Sequence, residues 1–77
     1  MTLQQLRYVI EIVNCGSMNA AAEKLYVTQP SLSNAVKELE KELGIEIFLR
    51  SNRGISLSAE GAEFLGYARQ VVEQAEL

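Results

Sequence analysis

The sequence predicts a mainly α domain: a three-helix core, a small β-hairpin, and a longer fourth helix. Two observations carry this reading. Four segments repeat apolar residues at helical spacing, and each is preceded by a Ser or Thr suited to capping a helix. Between the third and the fourth, after Gly44, the apolar period drops from 3.6 residues to 2. A chain of 77 residues has room for one small domain. Such a domain buries only about 60% of its unfolded surface, so each cap and turn matters.

The first helix opens at Thr2, where Gln5 three residues on completes a capping-box pattern. Leu3, Leu6, Ile10 and Val13 follow at helical spacing, Val9 and Ile12 widen the apolar face, and Gly16 closes the helix. Ser17 caps a short second helix of about two turns through Ala20, Ala21, Ala22 and Leu25. Tyr26-Val27 is a brief connection. Thr28 caps the third helix, and Pro30 falls in its first turn, where the amide that proline lacks has no helical partner. Leu32, Ala35, Val36, Leu39 and Leu43 form one stripe, which ends at Gly44. At 100° per residue, Pro30, Asn34, Lys37 and Lys41 point away from that stripe, with Ser33 on its flank.

In the hairpin, Ile45, Ile47 and Leu49 alternate with Glu46 and Phe48, and Ile55 and Leu57 alternate with Ser56 and Ser58. Ser51-Asn52-Arg53-Gly54 forms the turn, which sets Arg50 and Arg53 at the tip. Ser58 caps the fourth helix, with Glu60 in the first turn, where the helix dipole favours an anion. Its stripe runs through Phe64, Leu65, Ala68, Val71, Val72 and Ala75. That stripe can pack intramolecularly or against a second copy; a helix of about 19 residues spans roughly 28 Å, more than a body this small needs to cover, which favours a seam between two copies.

Composition excludes several function classes. There is no His or Asp, and all ten acids are Glu, which removes most metal sites and nucleophile–base pairs and speaks against an enzyme. No cofactor is expected. The lone Cys15 cannot form an internal disulfide and reads as a small packing residue, consistent with a cytoplasmic protein. No apolar run approaches the roughly 18 residues of a membrane span, and the first residues lack the basic start and apolar core of a signal peptide.

The net charge of −3 argues by itself against a polyanionic partner. Its distribution reverses the inference. Residues 1–58 carry six bases and six acids, whereas residues 59–77 carry four Glu and one Arg. From Leu25 to Val36 the chain is uncharged at neutral pH, and from Ile47 to Ala59 its only charges are two arginines.

A short helix, a tight turn and a second helix with small polar residues on its outer face is the pattern of a helix-turn-helix, here with a hairpin wing. Gln29, Ser31, Ser33 and Asn34 carry donors and acceptors of the reach needed at base edges, and Asn and Gln each pair two-fold with adenine. Arg50 and Arg53 on the wing suit phosphates or the minor groove. The same geometry also serves protein-binding modules, and the polar residues are equally those of a solvated first turn. Lys37 and Lys41 are placed to pair with Glu38, Glu40 or Glu42, and Lys37 also reaches toward a backbone phosphate.

Particular residues narrow these alternatives. Leu6-Arg7-Tyr8, Gly16-Ser17, Ala21-Ala22-Glu23-Lys24-Leu25 and Val27-Thr28-Gln29-Pro30-Ser31-Leu32-Ser33 occur in order. They are followed by Leu39-Glu40, Glu42-Leu43-Gly44, Phe48-Leu49-Arg50, Arg53-Gly54 and Leu57-Ser58-Ala59-Glu60-Gly61. Along nearly its whole length the chain resembles the N-terminal domain of LysR-type transcriptional regulators. The resemblance implies a winged helix-turn-helix over residues 1–58 and a linker helix over 59–77 that pairs two subunits. It also implies double-stranded DNA as partner, bound at an interrupted palindrome by a homodimer or tetramer. Carried over position by position, Thr28, Gln29, Pro30, Ser31, Ser33 and Asn34 face DNA, Lys37 lies beside them, and Arg50 and Arg53 act from the wing. One position departs from the family pattern: Asn34 stands where arginine is frequent, which removes a charge and shifts the expected base preference from guanine toward adenine. The resemblance further implies a larger effector-binding domain, absent from these residues, so the chain is expected to be a fragment of a longer regulator.

Overall fold

The computed structural model describes residues 1–77. In chain order these form α1 (Leu3–Cys15), α2 (Met18–Leu25), α3 (Gln29–Leu43), β1 (Phe48–Ser51), β2 (Gly54–Leu57) and α4 (Ala59–Ala75). Each helix starts where its hydroxyl cap predicts. Thr2 Oγ1 accepts from the Gln5 amide at 3.1 Å while Gln5 Oε1 accepts from the Thr2 amide at 2.9 Å, a complete capping box. Ser17, Thr28 and Ser58 accept from the amides of Ala20, Ser31 and Gly61 at 3.0, 3.2 and 2.8 Å. Such caps contribute about 1 kcal/mol each. Gly16 and Gly44 close α1 and α3 at φ 77° and 71°, a left-handed conformation that any side chain would strain.

The core lies where α1, α2 and α3 meet. Val9 and Ile12 of α1, Met18, Ala21 and Ala22 of α2, and Leu32, Val36 and Leu39 of α3 are buried together with Ile47 and Phe48. Fully burying a side chain the size of Ile12 or Leu39 is worth about 1.5–3 kcal/mol. On α1 the inward line is centred on Leu6, Val9 and Ile12, while Leu3 is left exposed. The residues read as widening the face, Val9 and Ile12, are its centre, because they join the cluster formed with α2 and α3 against which Phe64 and Leu65 of α4 pack. The small side chains of Ala21 and Ala22 let α2 approach closely. Gln5 Nε2 reaches the Ala35 carbonyl at 3.3 Å and ties the start of α1 to α3.

The hairpin differs from its sequence reading. Only Phe48–Ser51 pairs with Gly54–Leu57, antiparallel, with Phe48 opposite Leu57 and Arg50 opposite Ile55. Ile47 and Phe48 are buried in succession and Leu49 is 46% exposed, so the alternation that places Leu49 inside fails. The cause lies in the residues before the ladder. Glu40 Oε2 accepts from the amides of both Ile47 and Phe48, at 2.7 and 3.2 Å, and the Ile47 carbonyl accepts from the Ser58 amide at 3.0 Å. Residues 45–47 are thus held by side-chain and cap contacts and follow no strand pleat.

Helix α4 lies across α1. Gly61 and Ala68 are buried, and Phe64 and Leu65 pack against the core cluster. At Gly61 the backbone of α4 runs so close to Ile47 that a Cβ atom would sit 2.1 Å from the Ile47 carbonyl oxygen. No helix is long and apolar enough to cross a membrane.

Candidate nucleic-acid interface

The two helices of the central motif are joined by a turn built on an unexpected residue. Tyr26 takes φ 58° and ψ 39°, the left-handed conformation usual for glycine at a helix end. Its amide donates to the Glu23 carbonyl at 3.3 Å, and the Val27 amide donates to Ala22 at 3.0 Å, a Schellman closure. A non-glycine residue there carries about 1 kcal/mol of strain. The tyrosine side chain is 96% exposed. The sequence places the connection at Tyr26-Val27 but, without a glycine, carries no sign of its left-handed backbone, and the closure directs the chain straight into the Thr28 cap.

Beyond that cap, Pro30, Asn34, Lys37 and Lys41 are exposed along the outer side of α3, as the helical wheel predicts, and Ser31 is exposed as well. Thr28 is exposed with its hydroxyl engaged in the cap, and Gln29 is half-buried. Ser33 corrects the expectation. It is 6% exposed, and its Oγ accepts from Arg50 Nη2 at 3.0 Å. At 100° per residue it stands only 60° from the buried Val36, on the flank that faces β1.

The wing is corrected in the same way. Arg50 lies within β1 opposite Ile55, and its side chain turns back onto α3. The tip is Asn52-Arg53, with the Arg53 amide donating to Ser51 Oγ at 3.2 Å. Arg53 alone is the arginine of the tip.

Electrostatics separates the two ends of the molecule. Three ion pairs form: the N-terminal ammonium with Glu42, Arg7 with Glu76 at 3.7 Å, and Lys24 with Glu11 at 2.7 Å. Lys37 and Lys41 pair with no carboxylate, contrary to the expectation of partners along α3, and Arg50 and Arg53 have none either. Glu40, the nearest expected partner, is committed to the amides of Ile47 and Phe48. Four cations are therefore free of carboxylates on α3 and the wing.

The Lys24 ammonium holds the Glu11 carboxyl below its usual range, chiefly through their hydrogen bond, and Lys24 is raised in return. Cys15 donates to Glu11 at 3.5 Å, and its thiol is pushed up, first by desolvation and then by that carboxylate. A raised thiol is a poor nucleophile, which fits the packing role.

The seam predicted on α4 divides. Phe64 and Leu65, half-buried, pack against the chain's own core, and Ala68 is buried. Val72 is half-buried, while Val71, 47% exposed, and Ala75 face outward. Tyr67, 60% exposed and outside the predicted stripe, shares their side. The second half of α4 runs beside α1, where Arg69 Nη2 donates to Asn14 Oδ1 at 3.5 Å and Arg7 pairs with Glu76.

Comparison with known proteins matches this arrangement. Residues 3–62 fit the model of the bacterial regulatory helix-turn-helix protein, lysR family. The transcriptional regulator TcbR of Pseudomonas sp. strain P51 is 43% identical over 75 residues, covering 97% of this chain and 26% of TcbR. The Hca operon transcriptional activator HcaR of Escherichia coli K12 is 40% identical over 76 residues, 99% of this chain and 26% of HcaR. The chain thus spans about a quarter of the length of the curated relatives it matches. Among solved structures, the CbnR_DBD–DNA complex aligns with a TM-score of 0.94 at 42% identity, covering 99% of this chain and 87% of that one. The BenM_DBD complex with catB site 1 DNA gives 0.93 at 37% identity, over 99% and 82%. Helix order, wing and sequence agree along nearly the whole chain, which therefore belongs to the LysR family of bacterial regulatory helix-turn-helix proteins.

Proposed function

We propose that these residues are the sequence-specific DNA-binding part of a transcription regulator. In this reading residues 1–58 are the winged helix-turn-helix, and α4 joins two copies on a roughly palindromic site. The observation that carries it is the outer side of α3: Pro30, Asn34, Lys37 and Lys41 are exposed, and neither lysine is neutralised by a carboxylate. A helix presented to a duplex this way offers donors and acceptors to base edges near its N-terminus and positive charge to phosphate further along. That two of the similar structures are DNA-binding domains solved with DNA supports the same reading.

Thr28, Gln29, Pro30, Ser31 and Asn34 then meet the major groove, Lys37 a phosphate, and Arg53 the backbone or minor groove. Val71, Ala75 and Tyr67 are exposed on one side of α4 and available for pairing. The role is binding without catalysis, in the cytoplasm where the DNA is. Response to a small-molecule effector would belong to other parts of a longer protein.

Selection from a random 30-bp duplex pool tests the reading. The wild type should enrich a motif with two related half-sites about 34 Å apart along the duplex. Asn34→Ala should relax one position of it, at about 1–3 kcal/mol. Arg53→Ala should weaken binding to all duplexes and lower the salt slope by about 1. A folded chain that enriches no motif would sink the proposal and favour a protein partner for the same surface.

A further inference from the structure

We infer that Ser33 is a positioning residue, which reads no base and instead aims the Arg50 guanidinium at the phosphate backbone beside α3. The inference rests on the DNA-binding reading and assigns a mechanism within it. Three observations combine. Ser33 is 6% exposed, so its side chain has almost no surface to offer a base edge. Its Oγ accepts from Arg50 Nη2 at 3.0 Å, across 17 residues of sequence and from a different element. Arg50 has no carboxylate partner and remains exposed as a residue.

A guanidinium has five N–H donors in a planar fork, and the contact with Ser33 accounts for one of them. Its other donors are available for an incoming anion. A free arginine must give up rotamer freedom when it grips a phosphate, whereas one already tethered has lost part of that freedom on folding. The tether also spans α3 and β1, so it sets the hairpin's position against the recognition helix. Lysine could not serve here. A single ammonium lacks the fork that engages a hydroxyl and a phosphate in one plane.

The test is a double-mutant cycle on the 77-residue chain, read with a random-sequence 30-bp duplex and with the motif selected by the wild type. Ser33→Ala should weaken binding to both duplexes about fivefold, the scale of one hydrogen bond, while enriching the wild-type motif unchanged. Arg50→Ala should weaken binding further and lower the salt slope by about 1. The double variant should bind no worse than Arg50→Ala, and Ser33→Thr, which keeps the hydroxyl, should recover affinity. Thermal melts check that each variant is folded, which alanine within a helix favours. Losses that multiply in the double variant, or an altered motif from Ser33→Ala, would overturn the inference and leave the DNA-binding reading standing. A folded wild type that binds neither duplex would overturn both.

Discussion

Two glycines of α4 should respond to the same substitution with opposite signs. Helix propensity alone predicts that Gly61→Ala and Gly66→Ala each stabilise the chain, by up to about 1 kcal/mol. At Gly66 nothing lies within 4 Å of the added Cβ, so that gain should be realised. At Gly61 the Cβ would stand 2.1 Å from the Ile47 carbonyl oxygen, about 0.9 Å inside the 3.0 Å that real Cβ contacts keep. Its neighbours there are backbone atoms, and no side-chain rotation relieves the overlap.

Either α4 or the Ile47 segment must retreat. The retreat strains the hydrogen bond the Ser58 amide donates to the Ile47 carbonyl at 3.0 Å and the one the Gly61 amide donates to Ser58 Oγ at 2.8 Å. Overpacking of this kind costs about 1–3 kcal/mol, and loss of one hydrogen bond adds about 1. The net for Gly61→Ala is a destabilisation of about 1–3 kcal/mol after the propensity gain is subtracted. For a domain of this size each kcal/mol moves Tm by about 4–8 °C. Melts followed by circular dichroism, at one protein concentration, should show Gly66→Ala above the wild type and Gly61→Ala well below it. If Gly61→Ala melted as high as Gly66→Ala, the close approach of α4 to Ile47 would be wrong.

Three further outcomes are expected. Glu40→Ala, which strips two amides of a charged acceptor, should cost about 2–4 kcal/mol in urea unfolding; a change under about 0.5 would dismiss the Glu40 staple. Because Glu11 titrates lower when folded than unfolded, its contribution is complete above its usual 4.5 and is lost as pH falls through the lowered folded value. Glu11→Gln should therefore melt below the wild type at pH 7, with the gap closing under acid; a gap that persists at pH 2 would refute the ion pair as its source. Val71→Glu should leave the chain folded, since the residue is 47% exposed, yet abolish self-association in sedimentation; an unaltered dimer would place the seam elsewhere.

Much of the fold was legible because its signals are local. Thr2, Ser17, Thr28 and Ser58 each satisfy an amide three residues on, so a helix start can be read from a few neighbouring side chains. The line Pro30, Asn34, Lys37, Lys41 follows from helical geometry once α3 is bounded. Tyr26 escaped because its left-handed backbone is imposed by the closure of α2 onto α3, and its side chain leaves no trace of it.

Local patterning is thus enough for the order of elements, the outer side of α3, and the confinement of the excess negative charge to residues 59–77. Which polar residues are already engaged depends instead on contacts between elements. Glu40 looked like a partner for Lys37 and instead holds the amides of Ile47 and Phe48, which breaks the strand alternation. Ser33 looked like a groove residue and is covered and bonded by Arg50. Phe64 and Leu65 of the α4 stripe pack against the chain's own core, and Ala68 is buried. The physical reason is common to all three. Spacing tells which side of an element a residue takes, but a buried amide, hydroxyl or apolar side chain is satisfied by whatever the fold brings against it, from 7 or 17 residues away.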